Sequence, residues 1–136
     1  VTGGKDALDR MIVCDDIIAN YDRHWRNFGL VRNVNTLACR PAPIFDSGSS
    51  LWCNISLEEL KAGERSFTSA QFHSNPAKQM LLVEDMSWFD GDKLEGFVDE
   101  AIEILSKNDA LTARLPYLKE ALTWRLKRMI DIAEWN

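Results

Sequence analysis

Two prolines that stand one residue apart, Pro41 and Pro43, constrain this fold more than any other feature of the sequence. Proline lacks a backbone N–H and fixes φ, so neither residue can lie inside a helix, and both favour extended backbone up to Asp46. The polar run Ser47–Ser50 that follows is typical of a tight loop. The sequence therefore predicts extended backbone rather than helix over this segment, and Asp46 is expected where the extended segment ends.

A small β-hairpin is predicted before the prolines. Two apolar runs, residues 28–31 and 35–38, are separated by Arg32–Val34, where Asn33 is a residue that tolerates turns. We therefore expect strands in the two runs and a turn between them.

The segment before the hairpin is predicted to be a helix over residues 6–21. Its apolar side chains recur at intervals near 3.6, with Asp15 and Asp16 inside the run. This helix is expected to end near Asp22.

Residues 56–134 are also predicted to be helical, because four positions carry helix-start signals. Each has a side chain able to cap the first N–H groups, or a proline suited to the first turn. The four are Ser56 with Glu59, Asn75 with Pro76, Asp92 with Glu95, and Pro116. The first helix is expected to stop at Gly63 and the second to reach about Val83. The fold class is therefore mostly α with a small β-hairpin.

Composition limits the class of protein. The chain has 136 residues, of which 46% are hydrophobic, which suffices for one domain and not for two. No apolar run approaches the roughly 18 to 20 residues that cross a bilayer, and no basic segment leads into an apolar stretch at the start. Its three cysteines include no CxxC pair. We expect a cytoplasmic domain without disulfides.

Charge is unevenly distributed along the sequence. The net charge of −5 argues against a protein that coats nucleic acid. Residues 23–40 nevertheless contain four arginines and no acid, whereas residues 84–109 contain nine acids and two lysines. The positive segment is either a solvated face or a surface that meets phosphate.

Residues that could carry chemistry are concentrated in residues 20–29. Asp22 and Asn27 lie five positions apart, and Asp46 follows after the hairpin. The same order occurs in the catalytic loop and metal-binding loop of kinases. Phosphoryl transfer needs a carboxylate beside the attacking hydroxyl and oxygen ligands for Mg²⁺. Asp22 is therefore the candidate base, and Asn27 and Asp46 are the candidate metal and nucleotide ligands.

The neighbours of Asp22 have supporting roles in this interpretation. His24 is grouped with Asp22 as a candidate catalytic residue, but it is expected to brace the loop by hydrogen bonding rather than to transfer a proton. Arg23 and Arg26 are expected to be solvated charges or phosphate contacts. Trp25 is expected to pack against other side chains.

These motifs resemble those of the HipA-like serine/threonine kinases, which include bacterial toxin-type kinases. Their catalytic loop has the form N-x-D-x-H-x-x-N, which residues 20–27 match, and their metal-binding Asp follows an Ala-Pro-hydrophobic-aromatic sequence, which residues 42–51 resemble. The resemblance implies that residues 1–136 form the carboxyl-terminal lobe of an α+β kinase-like fold. Its parts would be a catalytic loop at 20–29, a metal-binding loop at 42–51 and a helical region at 56–134.

The same resemblance implies ATP and Mg²⁺ as cofactors and a Ser or Thr of a protein as the acceptor. A kinase also needs a strand lysine and a phosphate-covering loop, but only 21 residues precede Asp22 and they are predicted to be helical. Gly3-Gly4-Lys5 lacks the Walker spacing. We therefore expect the amino-terminal lobe to be missing from this chain, and the chain to be inactive by itself.

Two other functions stay open. The phosphoinositide 3-/4-kinase-like group also carries D-R-H-x-x-N, so residues 22–27 fit a lipid or small-molecule acceptor as well, although residues 42–48 favour the first family. The second is a non-catalytic module that holds a partner such as the helix-turn-helix repressors found with toxin-type kinases. Neither alternative involves direct binding to nucleic acid. His24 and His73 belong to no zinc-ligand set.

Overall fold

Helices and one two-stranded hairpin form the secondary structure in a computed structural model, which describes residues 3–64, 66–67 and 72–135. The α-helices are α1 (Gly4–Ile18), α2 (Leu57–Lys61), α3 (Pro76–Met80), α4 (Phe97–Leu105) and α5 (Leu115–Glu134), and the strands are β1 (Leu30–Arg32) and β2 (Cys39–Pro41). Two 3₁₀ helices, Gly91–Leu94 and Asp109–Arg114, precede α4 and α5. No helix in these ranges is both long and apolar enough to cross a membrane.

Helix α1 ends earlier than its apolar pattern predicts. It stops at Ile18, because Ala19 takes a left-handed conformation (φ 53°) and its N–H donates to the carbonyls of Asp15 and Asp16. The Asn20 side chain also turns back and donates to the Asp15 carboxylate. Such local side-chain bonds compete with helix propagation. The expected end near Asp22 is therefore wrong, and Asn20 already belongs to the following loop.

The hairpin is present, but its second strand is displaced from the predicted one. β1 and β2 are antiparallel, with Leu30 opposite Pro41 and Arg32 opposite Cys39. Residues 35–38 form the turn instead, because the Asn33 side chain accepts hydrogen bonds from two backbone N–H groups inside it. The side chain thus closes a wider loop than the predicted three-residue turn.

The first two helix-start signals form as the sequence predicts. Ser56 caps α2, and its N–H and hydroxyl both donate to the Glu59 carboxylate. These hydrogen bonds hold the pKa of Glu59 below its ordinary value. The Asn75 side chain caps α3, whose first residue is Pro76. That helix ends at Met80, which is short of the predicted Val83.

The predicted cap at Asp92 and Glu95 is wrong. The Asp90 side chain accepts from the Asp92 N–H and starts the 3₁₀ helix. Gly96 then adopts a left-handed conformation (φ 79°), and α4 begins at the next residue without a side-chain cap. The left-handed glycine separates the predicted cap from the helix that it was expected to start.

Helix α5 packs along α1 and organises two groups of buried apolar side chains. One group includes Ile12 and Val13 of α1 with Met129 of α5. The second group joins Ala19 and Trp52 to α5 through Leu118 and Leu122, among others. The segments before and after the hairpin are therefore anchored in the core by the buried side chains of Ala19 and Trp52.

Candidate active site

The loop that begins after α1 is fixed by the buried side chain of Asn20. Its Nδ2 donates to Asp15 Oδ1 at 3.0 Å, and its Oδ1 accepts from the Asp22 N–H at 3.1 Å. Asp22 itself is exposed. The backbone of the candidate base is thus held from inside, while its side chain faces solvent.

Asn27 is buried and tied to the same loop. Its Nδ2 donates to the Asp22 carbonyl at 3.0 Å, and its N–H donates to the His24 carbonyl at 2.8 Å. Its Oδ1 accepts no hydrogen bond from the described residues and is not sealed from solvent. Oδ1 is therefore the atom that Asn27 can offer to a cation.

The His24 side chain makes one hydrogen bond within this loop. Its Nδ1 accepts from the Arg26 N–H at 3.2 Å. An accepting Nδ1 places the proton of a neutral imidazole on Nε2.

Asp46 stands in the second loop, which runs beside the first. The Tyr21 N–H donates to the Ser49 carbonyl at 3.0 Å, and the Leu51 N–H donates to the Ile18 carbonyl at 2.8 Å. Asp46 is exposed and left-handed, with φ of 55°. A short polar side chain tolerates this conformation better than an apolar one does.

Arg23 connects the two loops from inside the protein. Its guanidinium pairs with both Asp15 oxygens at 2.8 and 2.9 Å, and its Nη1 donates to the carbonyls of Asn27 and Phe45. Its side chain is completely buried. The prediction that Arg23 is a solvated charge or a phosphate contact is therefore wrong, because the buried Asp15 carboxylate draws it inward.

The donor chemistry of the two loops fits Mg²⁺. Asn27 offers an amide oxygen and Asp46 a carboxylate, and Mg²⁺ prefers hard oxygen ligands while it keeps several waters. Across residues 3–64, 66–67 and 72–135, no group of three or more His, Cys, Asp or Glu side chains could hold a metal by itself. Any Mg²⁺ at the two loops would therefore take its other ligands from nucleotide and water.

Apolar side chains surround the two loops on the outside. Trp25 is 66% exposed, and its ring packs edge-on against the ring of Phe72, with 5.2 Å between the ring centroids. The centroid of the Phe28 ring lies 5.5 Å from that of Trp25.

A cleft of about 230 Å³ lies between the first half of α1 and the base of the hairpin. It is lined by Gly4, Ala7, Leu8, Met11, Phe28, Gly29, Leu30, Pro41, Ala42, Pro43 and Ile44.

A known protein kinase shares part of this sequence. The serine/threonine-protein kinase CtkA of Helicobacter pylori is 45% identical over 42 residues, which are 31% of this chain and 13% of that protein. No family model matches the chain. No solved structure matches it either. The shared stretch supports a kinase-like relationship.

Proposed function

We propose that this chain carries the catalytic base and the magnesium ligands of an ATP-dependent serine/threonine kinase of the HipA-like type, as part of its carboxyl-terminal lobe. The observation that carries the proposal is the guanidinium of Arg23, which binds the carbonyls of Asn27 and Phe45 through one nitrogen. The loops that bear the two proposed ligands are therefore neighbours. The partial likeness to a serine/threonine kinase supports the same function.

Asp22 is the proposed base. Its carboxylate accepts the proton of a Ser or Thr hydroxyl, whose oxygen forms a bond to the γ-phosphorus of ATP. The bond from that phosphorus to the bridging oxygen breaks, and ADP leaves with the electron pair. Hydrogen bonds from Asn27 to the Asp22 carbonyl and from the Asp22 N–H to Asn20 keep the base in place.

Asn27 Oδ1 and the Asp46 carboxylate are the proposed ligands of Mg²⁺. Mg²⁺ held there would neutralise the negative charge that develops on the phosphates during transfer. Both strands of the described ranges follow Asp22 in the chain, so neither can be the lysine-bearing strand that precedes a kinase catalytic loop. In this proposal the full-length kinase supplies that strand. A repressor-type partner and a cytoplasmic location stay predictions.

The test is transfer of labelled γ-phosphate by the full-length protein. Asp22→Asn should lower transfer to protein Ser or Thr by about 10²- to 10⁴-fold, because it removes the base and keeps the shape. Asp6→Asn is the matched control, since Asp6 is an exposed acid of α1 that pairs with Arg10. It should keep full activity.

Three outcomes would contradict this proposal. Equal activity of the Asp22→Asn and Asp6→Asn proteins would remove Asp22 from the mechanism. Transfer to phosphoinositides and not to protein would change the acceptor class. Nucleotide binding that ignores Mg²⁺ would favour the non-catalytic module.

A further inference from the structure

We infer that Arg23 is a positioning residue that couples the two loops bearing the proposed metal ligands, with Asp15 as its anchor. The inference rests on the proposed function, because only that function makes Asn27 and Asp46 metal ligands. Its basis is the full set of hydrogen bonds made by one buried guanidinium.

All five N–H donors of the guanidinium have acceptors. An arginine side chain carries five such donors in a rigid plane. Nε and Nη2 donate to Asp15, Nη1 donates to the carbonyls of Asn27 and Phe45, and Nη2 also donates to Ser47 Oγ at 3.1 Å. No donor is left for a phosphate, so Arg23 acts through the protein.

These bonds reach three separate segments. Asp15 belongs to α1, Asn27 to the first loop, and Phe45 with Ser47 to the second loop. Asp15 and Arg23 side chains are 2% and 0% exposed, so water competes little for the bonds. The guanidinium thus fixes the spacing of both loops relative to a helix of the core.

The Phe45 carbonyl belongs to the peptide unit that leads into Asp46. Its hydrogen bond to Arg23 fixes the plane of that peptide next to the left-handed backbone of Asp46. The Asn27 carbonyl is fixed in the same way on the other loop. Mg²⁺ binds its ligands at about 2.0 to 2.1 Å in near-ideal octahedral geometry, so a small change in loop spacing would weaken the site.

Arg23→Lys tests the coupling, because lysine keeps the charge beside Asp15 but cannot reach all the acceptors from one nitrogen. In the full-length protein, the Mg²⁺ concentration that half-saturates ATP binding should rise about 10- to 100-fold, as for other residues that orient metal ligands. Arg128→Lys is the matched control. Arg128 pairs at 2.7 Å with Asp16, the buried carboxylate next to Asp15 in α1, and among the described residues it makes no hydrogen bond to either loop.

A second pair of variants, which perturbs the protein less, tests the same coupling if Arg23→Lys does not fold. Ser47→Ala removes one bond from the guanidinium and should raise the half-saturating Mg²⁺ concentration roughly 2- to 10-fold. Ser49→Ala is its control, because Ser49 joins the network through its backbone carbonyl. It should leave the Mg²⁺ dependence unchanged.

Hydrogen exchange separates this inference from the proposed function. In Arg23→Lys the amides of Asn27 and Leu51, one in each loop, should lose protection together, while those of α5 should not. If the wild type shows no Mg²⁺-dependent ATP binding but the loops open together, the proposed function fails and the coupling stands. If the wild type binds with Mg²⁺ and the Arg23 and Ser47 variants match their controls, the coupling is overturned.

Discussion

Position 46 places separate demands on the backbone and on the side chain. The backbone is left-handed, with φ of 55°, which costs an apolar residue more than it costs Asp or Asn. The side chain, in the proposed metal role, has to supply a negatively charged oxygen ligand. Asp46→Asn therefore isolates the charge, whereas Asp46→Ala would change charge and backbone strain together.

Asp46→Asn and Asp22→Asn should differ before any chemistry occurs. In the full-length protein, Asp46→Asn should weaken Mg²⁺-dependent ATP binding by roughly 10- to 100-fold, because a charged ligand is lost. Asp22→Asn should leave that affinity nearly unchanged, since its partner is the acceptor hydroxyl. Calorimetric titration of ATP with and without Mg²⁺ measures both. Equal losses in the two variants would contradict this division of roles.

The sequence predicted Asp22, Asn27 and Asp46 as candidate site residues, but it did not predict the buried pair of Arg23 and Asp15 beneath their loops. Asp22, Asn27 and Asp46 are recognisable because the spacing of polar residues in a motif is visible in the sequence. The role of Arg23 depends on the burial of Asp15, eight positions earlier, and on a helix that ends between them. Side chains that touch on a helix are three or four residues apart, so a spacing of eight does not predict this contact. The sequence offered one signal, which is the acid Asp15 within the apolar pattern of α1. A buried carboxylate needs a partner of opposite charge.

At the scale of elements, α1 carries two adjacent buried carboxylates that point to different parts of the protein. Neighbouring positions on a helix do not face the same side. Asp15 pairs with Arg23 beneath the loops, whereas Asp16 pairs with Arg125 and Arg128 of α5. Helix α1 therefore links the candidate site to the longest helix of the described chain.

The contact of Asp16 with α5 should be important for stability. Burial lowers the pKa of Arg125, which lies over the ring of Phe67 at 4.4 Å, and the Asp16 carboxylate opposes that shift. Asp16→Asn leaves a buried arginine without its carboxylate and should lower the free energy of unfolding by about 3 to 5 kcal/mol. Asp6→Asn breaks an exposed pair on the same helix and should cost about 0.3 to 0.5 kcal/mol. Urea denaturation measures both, and losses of similar size would show that the Asp16 pairs contribute little.

Helix starts that a side chain caps were more predictable than the other element boundaries. The caps at Ser56 and Asn75 are local side-chain bonds, so the sequence contains all that they need. The left-handed Gly96 and the turn that Asn33 closes depend on how the chain packs and pairs, which residue spacing does not report.

At the scale of the whole molecule, exposed apolar side chains are concentrated on the hairpin and the loops beside it. Those with the largest exposed fractions between residues 25 and 45 are Trp25, Leu30, Val34 and Leu37. The apolar cleft beside α1 shares Leu30 with this set. Contiguous exposed apolar surface is uncommon on monomeric proteins and often marks a contact site. In the proposed kinase, the rest of the full-length protein would cover this face.

Binding of a dye that fluoresces in apolar surroundings tests whether the rest of the full-length protein covers this face. The 136-residue chain should bind the dye, and Leu30→Ser with Ile44→Ser should remove most of the fluorescence, because both residues line the cleft and are exposed. Leu81→Ser is the control, since Leu81 is 82% exposed next to α3 and does not line the cleft. The full-length protein should bind far less dye at this face if it is the proposed kinase, because its own surface would replace the water there. Dye binding by the full-length protein that is as strong as that of the chain, and equally sensitive to the Leu30 and Ile44 changes, would show that the face stays open. Sedimentation of the 136-residue chain at several concentrations, without dye, tests separately whether a second copy of the chain covers this face.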